Sequence, residues 1–551
     1  MSLARLLLRP AARLGGLHAR GDLRAYLRAF RSGRAAQDAL LADLLARGAA
    51  TRFGRDHDLG RARTYADFAD TVPVGDYDAR AAYLERVYAG EVEALFPPGE
   101  RIVLFALTSG TTAAPKRIPI TAGALDAYRR GWNAFGYKML TDHPAAWLRK
   151  ILQISSGGVD GHSPAGVPCG SVSGLLAASQ KRIVRRMYVG AAAGAIADPA
   201  ARLYTLARLA IGEDVGLIST ANPSSVLQLL ATAETHLDAL LRDLADGTLT
   251  PPGAVEPSLR RRLTPRKQPG RARAIERRLA AGGGTVTTRT FWDLALLAHW
   301  TGGTLGLYLP ELRRRAPGVP LRDIGLLASE GRLSLPLADG TPAGAADILG
   351  AFLEFIPAGE ADARRPTVLR THEVDVGGEY LVVLTNRCGL WRYNIGDRVR
   401  VEGFIGDTPL IAFLSKDAHT ANLTGEKLTE HQLVAAMAAV SRRLAVPIDR
   451  FLAQPCFAPT PHYRITAEPP AAGAPRLAEL LDGELRRLNI EYAAKRRSGR
   501  LAAPRLVPAP PGTFDRRRRD LLAARRGREE QYKHQYLLTE VATEAGSDGT
   551  V

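Results

Sequence analysis

Residues Leu107–Thr121 read "LTSGTTAAPKRIPIT", with hydroxyl side chains gathered around Gly110 ahead of Pro115 and Lys116. The stretch before it, "RIVLFAL" (Arg101–Leu107), is a nearly continuous apolar run, the pattern of a buried strand. A Ser/Thr/Gly segment leaving such a strand places bare backbone N–H groups and hydroxyls at the C-terminal edge of a sheet. In open α/β sheets that edge is where ligands bind. The donors suit a polyphosphate, with Lys116 as a point charge. The spacing is neither that of a Walker A loop nor G-x-G-x-x-G. Read alone, the segment is equally compatible with a plain turn.

The rest of the chain sets bounds on that reading. Its 551 residues exceed a single domain, and 46% hydrophobic residues supply a core. No apolar run reaches the ~20 residues that a membrane span needs. Cys169, Cys388 and Cys456 are odd in number and far apart. They form neither a disulfide framework nor a metal-ligand spacing, and point to a reducing cytoplasm. The arginine-rich N-terminus raises the question of a transit peptide. Arginine and alanine are as abundant elsewhere, so it is read as an ordinary first helix. The net charge of +18 is dispersed among acids apart from "RRRR" at Arg516–Arg519. With no aromatic RNP-like pattern or zinc-finger spacing, this is a solvated basic surface and not a nucleic-acid site. Only nine lysines stand among the 74 basic residues. A lysine that persists in such a chain points to a need for an ammonium.

Apolar spacing of three and four residues predicts helices in "AAQDALLADLLARGAA" and "DARAAYLERVYAGE" within residues 1–100. Strands are predicted at 150–156, 216–220, 380–385, 391–404 and 410–414, and one long helix over 223–247. The Pro/Gly/Arg-rich stretch 248–275 reads as a loop or irregular insertion. Beyond it, "TEHQLVAAMAAVSRRL" is a helix with Thr429 near its cap, "HYRITAE" a strand, and 476–497 a long helix. The expected architecture is α/β, with a large N-terminal domain (1–413), a smaller C-terminal domain (414–540) and a disordered tail (541–551).

Other short segments carry chemistry. "GLLASEGRLSLPL" (Gly325–Leu337) places Ser329 and Glu330 in a turn, and Mg²⁺ takes one or two carboxylates together with phosphate oxygens. In "LWRYNIGDRVRVEGF", Asp397 follows Gly396 in a strand–turn–strand segment, where a carboxylate can accept two hydrogen bonds from a ribose diol or simply build an Asx turn. Lys427 in "NLTGEKLTE" leads into a helix, and Lys533 in "REEQYKHQYLL" stands near the C-terminus. Each alone reads as a surface charge.

Together, "TSGTTAAPK", "ASEG", "WRYNIGD", "TGEKLTE" and "QYK" resemble, in order and spacing, the GH3 acyl-acid amido synthetases of the adenylate-forming superfamily. "FADTVPVGDYDARAAYLERVYAGE" and "LNIEYAAKRRSGRLAAPRLVPAPPGTF" extend the resemblance over nearly the whole chain. It implies ATP-phosphate binding by Ser109, Thr111, Thr112 and Lys116. It further implies Glu330 on Mg²⁺, Ser329 beside the nucleotide, Asp397 on the ribose hydroxyls and Tyr393 lining that wall. Lys427 and Lys533 would be brought by the small domain to the α-phosphate and the reacting carboxylate, about a hinge at Leu414–Asp417. There are departures. Ala113–Ala114 stand where the superfamily usually has a glycine, "LLASEG" lacks the usual aromatic before Ser–Glu, and "QYKHQY" lacks the plant-type proline–arginine. The implied activity is a carbon–nitrogen ligase that adenylates a carboxylic acid and passes it to an amine such as an amino acid. The implied cofactors are ATP and Mg²⁺, with small-molecule partners only, no membrane, and a monomer as the default. An acid–CoA ligase shares the first step, and a non-catalytic basic relative is the alternative from another class.

Overall fold

The computed structural model describes residues 3–108, 116–154, 159–178, 182–361, 363–416, 420–421, 423–424, 426, 428–457, 461–468, 474–498, 501–524 and 534–539. The chain divides into two compact units. The first comprises Met1–Gly302, Pro310–Ile395 and Val399–Phe413; the second comprises Gly303–Leu309, Gly396–Arg398 and Leu414–Val551.

The first unit opens with helices Leu3–Arg31 and Gly33–Gly48. The arginine-rich start is therefore helical. Leu23, Tyr26 and Phe30, at three- and four-residue spacing, are buried in the main core. Strand Ile102–Thr108 pairs antiparallel with Lys116–Thr121 and parallel with Pro168–Gly170. Thr108 lies opposite Lys116, so the ends of the hydroxyl-rich stretch are held across one rung. Thr121 then caps helix Ala122–Asp142 by accepting from the Ala124 N–H.

A five-stranded all-parallel sheet follows, in the order Tyr188–Val189, Lys150–Ile154, Val215–Thr220, Leu296–Ala298, Leu321–Arg322. Burial of the Val215–Thr220 strand is nearly complete, as a parallel sheet requires. Next comes a seven-stranded sheet in which Glu379–Asn386 lies between Ala351–Pro357 and Tyr393–Ile405. The second unit packs helices Glu430–Leu444, Ala474–Leu488 and Ile490–Arg497 with a three-stranded sheet of Phe451–Cys456, His462–Ala467 and Arg505–Pro508.

The structure revises the local reading in four places. The helix expected over 223–247 is two, Pro223–Thr235 and Leu237–Asp246, broken at His236. The break gives each helix its own buried set: Val226, Leu229 and Leu230 in one, Leu240, Leu241 and Leu244 in the other. Stretch 248–275 is no mere loop, because helices Pro257–Leu263 and Pro269–Ala281 run through it. Two of the prolines that read as breakers, Pro257 and Pro269, stand in first turns, where a missing N–H loses nothing. The long helix over 476–497 is likewise divided at Asn489, which caps the second half. Finally, Asp397 is not followed by a turn. Tyr393–Ile405 is one strand, and Gly396 takes φ 72°, a conformation open to glycine, so the chain bends and continues.

Arg392 sits just before that strand at φ 40°, an unfavourable backbone for a residue with a Cβ. Its guanidinium donates to Glu354 at 3.0 and 3.2 Å and to the carbonyls of Ala69 and Val72, both at 2.9 Å. Tyr65 adds a hydrogen bond to Glu354 at 2.8 Å. Glu354 is fully buried, so Glu354→Ala leaves a buried cation unpaired. We expect a loss of about 3–5 kcal/mol in urea unfolding; a loss below about 1 kcal/mol would show that the pair does not hold Arg392 in place.

Candidate active site

Ser329 and Glu330 form the two-residue turn of a small hairpin, with Leu327 paired to Arg332 and Ala328 to Gly331. A carboxylate at such a tip is ordinarily solvated, yet Glu330 is only 7% exposed. Two elements fix the turn. Tyr128, on helix Ala122–Asp142, donates its hydroxyl to the Ala328 carbonyl. Asn386, at the end of a central strand, donates its amide to the Glu330 carbonyl at 2.7 Å and accepts from the Cys388 N–H at 2.9 Å. Arg332 continues the hairpin, donating to the carbonyls of Ile324 and Ser334 at 3.1 and 3.0 Å, with its guanidinium 4.5 Å from the Trp132 ring centre. Beside the turn lies a cavity of about 20 Å³ lined in part by Tyr128, Glu330, Arg332, Asp347, Asn386 and Cys388. That is room for one water molecule.

The Glu330 charge is felt by its neighbours. Burial pushes the Tyr393 phenol well up, and the adjacent Glu330 carboxylate pushes it further. The Cys388 thiol is pushed up to about 12 by burial and then by Glu330. Burial also raises Tyr128, with Arg332 working against it. These groups stay neutral across the physiological range, in a low-dielectric setting that strengthens attraction between a carboxylate and a cation.

Lys116 opens its strand with the ammonium 5.5 Å from the Tyr77 ring centre, and the Tyr77 hydroxyl accepts from the Arg117 N–H at 3.1 Å. Asp397 is buried and ion-paired with Lys416. The structure thus brings Glu330 and Tyr393 together, while Lys116 and Asp397 each have a partner of their own. Ser109, Thr111, Thr112, Lys427 and Lys533, together with Asp417 of the expected hinge and the tail 541–551, lie outside the described residues. Sequence reasoning missed Tyr128, Asn386, Tyr77 and Lys416. Only Lys416 carried a signal, as one of the few lysines.

Among the described residues, no group of three or more His, Cys, Asp and Glu gathers at one point. The buried Glu330 fits Mg²⁺ as a single protein carboxylate, with water and phosphate oxygens completing the shell.

The chain has the adenylate-forming fold. It superposes on AtGH3.15 acyl acid amido synthetase in complex with 2,4-DB with a TM-score of 0.81, covering 94% of both chains at 19% identity. With 2-hydroxyisobutyryl-CoA ligase in the postadenylation state the TM-score is 0.52, covering 92% of this chain and 89% of that one at 11% identity. Residues 23–321, 346–416 and 431–542 match the GH3 family N-terminal, central and C-terminal domains, and the chain belongs to the GH3 family. Similar relatives include the probable indole-3-acetic acid-amido synthetase GH3.12 of Oryza sativa subsp. japonica, 25% identical over 76% of this chain and 75% of the relative. Another is the jasmonoyl–L-amino acid synthetase JAR6 of Nicotiana attenuata, 26% identical over 73% and 71%.

A thiol with a pKa pushed up to about 12 holds its proton at pH 8. Native Cys388 is therefore expected to resist iodoacetamide at pH 8 and to react once urea unfolds the chain. Rapid native labelling, mapped by mass spectrometry, would contradict the enclosed setting drawn for Glu330.

Proposed function

We propose that this protein is a carbon–nitrogen ligase that adenylates a carboxylic acid with ATP and transfers the acyl group to an amine, an amino acid by preference. The observation that carries the reading is the buried carboxylate at the hairpin tip, facing Tyr393, in a chain with all three GH3 domains.

In the first step a carboxylate oxygen of the acid attacks the α-phosphorus of ATP, and the bond to pyrophosphate breaks. Both reactants are anions, so cations must offset their repulsion and the charge that develops. Ser109, Thr111, Thr112 and Lys116 are assigned to the phosphates, Ser329 to the nucleotide's side, Asp397 to the ribose hydroxyls and Tyr393 to the wall beside them. Lys427 and Lys533 are assigned to the α-phosphate and the reacting carboxylate. Glu330 would hold Mg²⁺, which would supply positive charge to the phosphate oxygens. Lys416 pairs with Asp397, the carboxylate assigned to the diol. In the second step the amine nitrogen attacks the acyl carbon, AMP departs with the bonding pair, and the nitrogen loses a proton to give the amide.

The protein is taken to act as a monomer in the cytoplasm. Its three cysteines are buried and form no disulfide, and no described helix is long and apolar enough to cross a membrane.

The test is pyrophosphate release from Mg·ATP across a panel of aryl and alkyl carboxylic acids, with pooled amino acids, with coenzyme A, or with neither. We expect acid-dependent release that amino acids accelerate and coenzyme A does not. Lys533→Ala and Glu330→Gln should each lower it ~100-fold or more, and Asp397→Ala should chiefly raise KM for ATP. Acceleration by coenzyme A alone would make it a thioester-forming ligase. No release, together with no ATP binding in calorimetry, would refute adenylation outright.

A further inference from the structure

Helices Leu3–Arg31, Gly33–Gly48 and Ala122–Asp142 of the first unit enclose a groove of about 350 Å³, within the size range of small-molecule sites. Alanine lines it where the first two helices face it, at Ala25, Ala36 and Ala39, and Leu40 and Leu349 add to the apolar floor. Neither the Ser329–Glu330 turn nor the hydroxyl-rich stretch contributes to its lining among the described residues.

The charges in this groove are treated unequally. Arg387 donates to Asp43 at 2.7 Å, which closes one acid–base pair. Asp22 and Arg130 line the same groove without pairing. Asp22 accepts from the neutral Asn133 amide at 2.9 Å, with the His18 ring 3.7 Å away. Among the described residues it has no arginine or lysine within ion-pair distance, and Arg130 has no hydrogen-bond or ion-pair partner. An exposed arginine without a partner is ordinary by itself. Here, however, Asn133, which holds Asp22, stands on the same helix one turn after Arg130. An anion and a cation thus share one groove about a helical turn apart, and neither satisfies the other.

The inner wall of the groove continues into the hairpin that carries Glu330. Tyr26, which lines the groove, donates to Asp347 at 3.0 Å. Asp347 is a buried carboxylate attracted by Arg332, the residue that closes the hairpin. Arg387 lines both the groove and the small cavity beside Glu330, and its neighbour Asn386 holds the Glu330 carbonyl.

We propose that this groove binds a free α-amino acid with an apolar side chain, and that its occupancy is passed to the Glu330 hairpin through Tyr26 and Arg387. Arg130 takes the carboxylate, Asp22 the ammonium, and the alanine-lined floor the side chain. The charge pattern selects the class. An α-amino acid carries both charges on one carbon and satisfies both groups at once, whereas a simple acid or amine leaves one of them unpaired. The site is separate from the reaction proposed above, and its test needs no turnover.

The experiment titrates full-length protein, without ATP, with N,N-dimethyl-L-phenylalanine, a zwitterion whose tertiary nitrogen cannot form an amide. 3-Phenylpropanoate and phenethylamine, each with a single charge, are the controls. Calorimetry reports binding, and hydrogen exchange reports residues 20–45 and 326–333. Binding that Arg130→Ala removes is assigned to the groove. We expect a dissociation constant of about 1 mM or lower for the zwitterion. It should weaken about tenfold or more in Arg130→Ala and in Asp22→Asn. Ala39→Trp, which fills the groove from an exposed position, should abolish it. Exchange should slow in both segments with ligand, and not in Arg130→Ala. No binding, or binding that survives Arg130→Ala and Asp22→Asn, would overturn the site. Arg130-dependent binding of 3-phenylpropanoate as tight as that of the zwitterion would overturn the amino-acid assignment in favour of a plain carboxylate. Unchanged exchange at 326–333 on saturation would overturn the link to the hairpin. Should Ala39→Trp fail to fold, the two charge variants decide the outcome.

Discussion

A carboxylate held out of water at the tip of a two-residue turn is the constraint on which the first unit's chemistry depends. Nothing within a six-residue hairpin can bury its own tip, so the burial of Glu330 is imposed from outside. Tyr128 and Asn386 supply it from a helix and from a central strand. Around Glu330 stand groups that burial keeps neutral, Tyr393, Cys388 and Tyr128. An arrangement of this kind is poor as a stabilising device, since desolvating a charge is unfavourable. It is good as a receptor, because the same low dielectric strengthens attraction to an incoming cation.

The second constraint is backbone strain next to Tyr393. Arg392 is held left-handed by a fully buried glutamate and two carbonyls of the segment around 69–72. Gly75 exchanges backbone hydrogen bonds with Arg392 and Asn394 on either side. Tyr393 is thus fixed from behind by residues more than 300 positions earlier in the chain. Its ring can form a rigid wall facing Glu330 without owing its position to any ligand.

Much of this fold could be read from local pattern. The apolar run before the hydroxyl-rich turn, the hairpin around Ser329–Glu330 and the Thr429 cap all reflect interactions within a few residues, and they stand where the pattern places them. What the sequence does not display is pairing across distance. Tyr128 meets Ala328, Asn386 meets Glu330 and Glu354 meets Arg392 with nothing in the intervening residues to announce it. Prolines misled at 257 and 269 because one residue type marks both a helix start and a helix end. Asp397 misled for a related reason: Gly–Asp is a turn signature, and a strand that bends at glycine has the same spelling.

The lysines join the two kinds of reading. This chain writes most of its positive charge as arginine, and its buried pairs follow suit: Arg392 with Glu354, and Arg322 with Asp142 and Asp339. A planar fork that binds two oxygens at once is suited to a permanent lock. Some lysines make ordinary contacts, as Lys138 does with Asp142 at 2.6 Å and Lys150 with the Arg186 carbonyl at 2.8 Å. Lys416 meets the buried Asp397, and Lys116 stands at the mouth of the hydroxyl-rich stretch. A compact ammonium engages one oxygen and can exchange it for another, which is what a group must do if phosphate or sugar is to take its partner's place. Arginine at these positions would fix the resting arrangement; lysine leaves it able to change.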